Sequence, residues 1–209
     1  MGFPAAADRN LLEVVPKVEK KMRTKFAFTG FLLIQALSTP SPSHAESNEE
    51  RLAWFRDAKF GLFLTWGPAS LTGKEVSWSR KGPRRGDYDQ LQEIPAKTYD
   101  SLYKRFNPVR FDAKEYVRVA RNSGMKYIVL VTKHHDGFSM FHTAHSNYQI
   151  GSTPFGRDIV KELADACHDA GMRLGLYYSQ RDWYHPDYLN GDNSKYAGFL
   201  HNQVRELLS

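Results

Sequence analysis

A single cysteine in 209 residues excludes a disulfide framework within the chain and any zinc site built on several thiolates. No apolar run is long enough to cross a bilayer: residues 26–37 supply about a dozen, where a spanning helix takes about 20. No Gly-rich phosphate fingerprint follows the first apolar strand, which removes the main support for a dinucleotide-binding sheet. Excess charge is also scarce. The net +6 comes from 29 Lys and Arg against 23 Asp and Glu, and residues 1–45 account for half of it. So small a surplus argues against a nucleic-acid partner. Internal repeats and low-complexity tracts are absent after Ala45. What remains is globular composition, 41% apolar and 25% charged, enough for a real core. Aromatic residues reach 13%, which suits a binding cleft.

Residues 22–45 have the layout of a secretory signal peptide. Arg23 and Lys25 make a charged start, the short apolar run follows, and a Ser/Pro stretch ends in Ser43-His44-Ala45, a small-x-small cleavage pattern. The expected organisation is therefore an over-extended start over 1–21, a signal peptide over 22–45 and a mature part over 46–209. The mature part would be secreted or periplasmic, with no membrane association after cleavage. Cys167 reads as a small buried apolar side chain.

Along the mature part, the glycine-bounded apolar run KFGLFLTWG at 59–67 predicts a buried strand. Residues 70–92 are Gly-, Pro- and Arg-rich, too long for a turn, and a loop of this kind is usually functional. Asp112-x-x-Glu115 is a capping-box pattern, and Ala113, Tyr116, Val117 and Ala120 behind it share one helical face, with Gly124 at the end. KYIVLVTK at 126–133 predicts a second strand. A second helix is expected from about Asp158, with Ile159, Leu163, Ala166 and Ala170 on one face and Gly171 at its end. RLGLYY at 173–178 predicts a third strand. Tyr196, Leu200, Val204, Leu207 and Leu208 then recur at helical spacing. Apolar strands joined by helices mean an α/β fold with a parallel sheet. Either a doubly wound sheet or a (β/α)8 barrel satisfies the order. Long βα loops, short αβ turns and polar residues at all three strand ends favour the barrel, which builds its active site at that face.

Those strand ends carry the candidate site. His134 and His135 directly follow an apolar strand. Neighbours on a strand point to opposite faces, so both reach one ligand only if the strand breaks up there, as Asp136-Gly137 implies. The same geometry weighs against a metal pair, and no ligands to complete one are evident. Trp66, Trp78, Trp183, Tyr177, Tyr178 and Tyr184 lie in or just before the same loops. Apolar rings with a polar tip suit sugars, which present C–H faces edged by hydroxyls. Taken alone, Glu75 and the basic residues Lys81, Arg84 and Arg85 read as solvated loop.

The stretches FRDAKFGLFLTWGPAS, GKEVSWSR, FNP, GMKYIVLVTKHHDGF and GLYYSQRDWYHP, in this order, closely resemble the amino-terminal half of the α-L-fucosidases of glycoside hydrolase family 29. The resemblance covers nearly all of 51–209. It implies a (β/α)8 TIM-like barrel, of which 46–209 would be the first three or so βα units. It also implies retaining removal of terminal α-L-fucose from glycans or glycoconjugates, without metal or organic cofactor. A fucosylated glycan would be the partner. His134 and His135 match the family's pair that hydrogen-bonds fucose hydroxyls, and Glu75 matches its active-site glutamate. Tyr178, with Tyr177 the alternative, matches the strand-end tyrosine near the sugar, and Trp78 would wall the pocket. These residues are expected to converge in one concave site.

Two departures accompany the match. Thr65 stands where members usually carry histidine; its hydroxyl is shorter and does not titrate near neutrality. The family's nucleophilic aspartate ends the strand after the helix that holds the ELL-like segment, and its acid/base glutamate comes later. Here the sequence stops at Ser209, inside that helix. No catalytic carboxylate is therefore expected in this chain, which reads as a fragment shorter than the roughly 250 residues of a full barrel. Asp136 and Asp182 sit at strand ends but match neither motif. The alternative reading is a non-catalytic sugar-binding remnant.

Overall fold

Three apolar segments pair side by side in one parallel sheet, ordered β1 (Leu62–Leu64), β2 (Tyr127–Lys133) and β3 (Arg173–Tyr178). The computed structural model describes residues 47–82, 93–188 and 193–209. The expected over-extended start (1–21), the expected signal peptide (22–45) and the Arg84-Arg85 part of the first long loop lie outside them. Leu64 pairs with Leu130, which pairs with Leu176, so the branched side chains stack across the sheet. Five α-helices are described: α1 (Asn48–Ala58), α2 (Ala96–Asp100), α3 (Ala113–Asn122), α4 (Ile159–Asp169) and α5 (Ser194–Leu208). None is long and apolar enough to cross a membrane.

The two crossover helices begin where their caps dictate. Asp112 accepts the Glu115 N–H at 3.1 Å, and Asp158 accepts the Lys161 N–H at 2.8 Å. The capping box at Asp112 is only half formed, because the Glu115 carboxylate turns to Arg118 instead. Gly171, at φ 64°, ends α4 in the left-handed region that a Cβ penalises. Val117 and Ala120 of α3 and Ile159, Leu163 and Ala166 of α4 pack on Ile128 and Leu130 of β2. Each large aliphatic side chain so buried contributes about 1.5–3 kcal/mol. Cys167 is buried among them, and burial pushes its thiol up to about 11.

The structure departs from the sequence pattern in three places. The strand expected over 59–67 is confined to Leu62–Leu64. The unanticipated α1, fixed by a Ser47/Glu50 capping box, runs up to it, and Lys59 closes that helix at φ 51°. On the other side Pro68 opens a 3₁₀ turn, Pro68–Thr72. The long loop is also partly built. Arg80 bridges to Ile94, and its guanidinium grips both Asp100 oxygens at 2.6 and 2.8 Å. On α5 the buried positions are Tyr196 and Gln203, while Leu208 is exposed. Gln203 occupies the inner face because its amide is used there. It accepts the Tyr178 hydroxyl at 2.6 Å and donates to Ser139 Oγ at 3.2 Å.

Candidate functional site

The site begins with an irregularity in β2. Its register with β3 shifts between Val131 and Lys133. A bulge at a strand end re-aims the side chains beyond it. Lys133 here lies on the helix-facing side, with Nζ 4.5 Å from the centre of the Tyr178 ring. There Nζ donates to Asp182 Oδ2 at 2.8 Å, and both side chains are buried. Burial pushes the Lys133 ammonium down, and Asp182 opposes that. The strand stops after Lys133, and the Gly137 N–H closes a turn onto the His134 carbonyl at 3.1 Å. The imidazoles of His134 and His135 consequently lie side by side, with ring centres 4.2 Å apart.

Each imidazole is held by a serine and faced by aromatic rings. His134 Nδ1 lies 2.6 Å from Ser77 Oγ, and the ring stacks on Tyr177 at 6.0 Å. His135 Nδ1 lies 2.6 Å from Ser179 Oγ. Trp78 meets the His135 ring edge-on at 5.3 Å, and Trp183 lies at the same distance. The Trp183 backbone N–H also donates to the His135 carbonyl at 2.7 Å, which fixes the loop after β3 against the turn after β2.

His134, His135 and Trp78 are thus brought together. Tyr178 is not placed beside them: it faces α5, and Tyr177 is the neighbour of His134. Adjacent strand residues point to opposite faces, so only one of the two tyrosines reaches the histidines. Glu75 is exposed two residues before Ser77. With Thr65, Lys74 and Glu93 it lines a cleft of about 400 Å³. Val76 borders both this cleft and a small recess lined by Trp66, His134 and Asp136.

Asp136 and Asp182, the strand-end carboxylates, are both committed inside the protein. Asp136 accepts the Tyr99 hydroxyl at 2.6 Å and the Phe138 N–H at 3.2 Å. Asp182 Oδ1 accepts the N–H groups of Tyr184 and His185 at 3.1 and 2.8 Å. No group of three or more His, Cys, Asp or Glu among the described residues is placed to hold a metal ion.

Burial sets the protonation states. Desolvation holds His134 down at about 4; the same effect, reinforced by nearby cations, holds His135 at about 4. Between about pH 6.5 and 4 the unfolded chain therefore binds two protons that the folded one refuses, and stability falls as pH is lowered. Asp136 acts in the opposite sense. Burial pushes it up to about 6 despite the Tyr99 hydrogen bond, so the folded chain takes up its proton first. Two groups outweigh one. The denaturation midpoint is expected to be lower at about pH 4.5 than at about pH 7, and His134→Gln/His135→Gln should shrink the difference. An equal or higher midpoint in acid for the unsubstituted chain would contradict this.

The alpha-L-fucosidase family model matches residues 34–209. The chain belongs to the alpha-L-fucosidase family, glycoside hydrolase family 29. It is 33% identical to rat (Rattus norvegicus) plasma alpha-L-fucosidase over 80% of this chain and 38% of that one. With the human (Homo sapiens) plasma enzyme it shares 36% identity over 69% of this chain and 32% of that one. Among solved structures it superposes on alpha-L-fucosidase isoenzyme 1 of Paenibacillus thiaminolyticus with a TM-score of 0.68. That match has 36% identity and covers 77% of this chain and 40% of that one. The Lactobacillus casei fucosidase AlfC, solved with its alpha-L-fucose product, gives a TM-score of 0.56 at 42% identity over 66% of this chain and 44% of that one. The chain spans about a third of the length of the curated fucosidases it matches.

Three side chains that shape the site had no signal in the sequence pattern. Ser77, Tyr99 and Ser179 are ordinary polar residues by type and spacing. Tyr99 reaches Asp136 from 37 positions away. Tyr177 was open as the alternative to Tyr178, and only the direction of the pleat separates them.

Proposed function

We propose that this chain carries the fucose-recognition part of a retaining alpha-L-fucosidase that removes terminal α-L-fucose from glycans. The observation that carries the reading is the paired His134 and His135 imidazoles beside Tyr177, with Trp78 against His135, in a chain of this family. Both imidazoles stay neutral at physiological pH, so each offers one donor and one acceptor to sugar hydroxyls. Tyr177 and Trp78 supply apolar faces for the ring. Glu75, exposed on the same loop as Ser77 and Trp78, is a carboxylate available to a ligand at this edge. The three βα units are the opening part of a (β/α)8 barrel, whose catalytic face lies at the carboxyl ends of the strands. An alpha-L-fucosidase from Bacteroides thetaiotaomicron, among the solved structures this chain resembles, was trapped as a covalent intermediate.

Retention requires a nucleophilic carboxylate and an acid/base carboxyl about 5–5.5 Å apart. Asp136 and Asp182 are buried and already accept two or more hydrogen bonds each, which leaves neither free to attack an anomeric carbon. In our reading the reacting carboxylates are supplied by sequence outside these 209 residues. The layout of 22–45 supports export of the whole.

The test pairs binding with turnover. Titration calorimetry with L-fucose is expected to show saturable binding, weakened about 3- to 10-fold by His135→Ala for the loss of one hydrogen bond. With 4-nitrophenyl α-L-fucopyranoside the chain alone is expected to release no nitrophenol above background, and a chain extended to a full barrel to turn over. Galactose binding without fucose binding would refute the substrate assignment. Comparable turnover by both forms would refute the division of labour.

A further inference from the structure

We propose that Ser77, held by Tyr99 and Asp136, is a positioning residue that fixes His134 as its Nε2–H tautomer, so that the ring offers the sugar a donor. The proposal rests on the fucose-recognition reading for the nature of the ligand, but not for the tautomer.

The argument follows the protons around a closed circuit. The Tyr99 hydroxyl donates to Asp136 Oδ2 at 2.6 Å, which uses its only proton. The Tyr99 oxygen therefore acts as acceptor towards Ser77, taking the Ser77 N–H at 2.7 Å. The Asp136 N–H donates to Ser77 Oγ at 2.9 Å. Each of these donors is spent within the circuit. Ser77 Oγ then has one proton of its own, and His134 Nδ1 at 2.6 Å is the acceptor that faces it among the described residues. If Nδ1 carried the proton instead, Ser77 Oγ would receive two donors. Its own proton would be left without an acceptor in a side chain with no exposed surface. The arrangement consistent with all four contacts puts the lone pair on Nδ1 and the hydrogen on Nε2.

The backbone gives an independent sign. Ser77 sits at φ 62°, in the left-handed region, where it is one of two non-glycine residues among those described. Glycine would occupy that conformation more readily, so the hydroxyl is kept at a conformational cost. His135 supplies the contrast. Its serine, Ser179, has two acceptors for one proton: His135 Nδ1 at 2.6 Å and the Arg181 carbonyl at 3.0 Å. The circuit that commits His134 therefore has no equivalent at His135, and the two adjacent imidazoles are not interchangeable.

The experiment is a long-range nitrogen–proton correlation of the histidine rings in the full chain at about pH 7.5, where both are neutral, together with L-fucose affinity. His134 is expected to show a protonated Nε2 and a bare Nδ1. Ser77→Gly relaxes the backbone and removes the hydroxyl. It is expected to leave the folded spectrum in place, to give His134 a mixture of tautomers and to weaken fucose binding about 3- to 10-fold. Tyr99→Phe keeps the Ser77 hydroxyl but loosens its hold, and should give a smaller admixture. A protonated Nδ1 on His134 in the unsubstituted chain would overturn the proposal. So would an unchanged tautomer in both variants. If the tautomer behaves as expected but no fucose binds to the unsubstituted chain, the positioning role stands and the fucose reading falls.

Discussion

Replacing Lys133 by methionine is expected to destabilise the fold by about 3–5 kcal/mol, the usual consequence of removing one partner from a buried ion pair. Lys133 has no exposed side-chain surface, and the Asp182 side chain only 2%. Methionine fills a similar volume, so packing is conserved and Asp182 Oδ2 is left charged in an apolar setting. The double change Lys133→Met/Asp182→Asn should recover at least half of the loss. Asparagine keeps the Oδ1 that accepts from Tyr184 and His185, and it removes the charge. Denaturant titration at neutral pH reads both effects as midpoint shifts with an unchanged slope. A single variant within about 1 kcal/mol of the unsubstituted chain would mean that water reaches the pair.

Gly137→Ala is expected to cost about 2–5 kcal/mol, from two sources that add. Gly137 sits at φ 83°, where any Cβ is strained. A Cβ built there would also lie 2.3 Å from Asp182 Oδ1 and 2.9 Å from Tyr184 Cβ. Asp182 cannot yield without loosening its grip on Lys133 and on two amides. The two substitutions should therefore be coupled: Gly137→Ala ought to cost less in the Lys133→Met/Asp182→Asn background, by more than about 0.5 kcal/mol. Additive midpoint shifts in that cycle would show that the close approach is relieved elsewhere. Sequence pattern placed Gly137 as the point where the strand breaks. The structure adds that the loop after β3 leans on this missing side chain.

Periodicity carried the reading of α3 and α4, each of which buries one face and so shows its period directly; β2 and β3 were legible instead as unbroken apolar runs. β1 was overread. KFGLFLTWG is apolar apart from Lys59 and Thr65, and nothing in it marks where α1 closes at Lys59 or where Pro68 starts a turn. Gln203 was invisible for the opposite reason. A polar residue on an inner face belongs there only if its partners, Tyr178 and Ser139, are known. The histidine pair stood out because it follows an apolar strand. Its supporting layer did not, since Ser77 lies 57 positions from His134 and Ser179 lies 44 from His135. Hydrogen bonds over such separations leave no local pattern. The choice between Tyr177 and Tyr178 turned on a single step of the pleat.

Trp78 and Trp183 stand 5.5 Å apart, and each lies 5.3 Å from the His135 ring. Two of the chain's four indoles are thereby coupled to one imidazole of the candidate site. A charged imidazolium quenches indole emission, whereas a neutral ring does so far less. Displacing water from that corner also changes the polarity the excited indole senses. The light the protein emits thus carries information about what meets that imidazole, with no added dye.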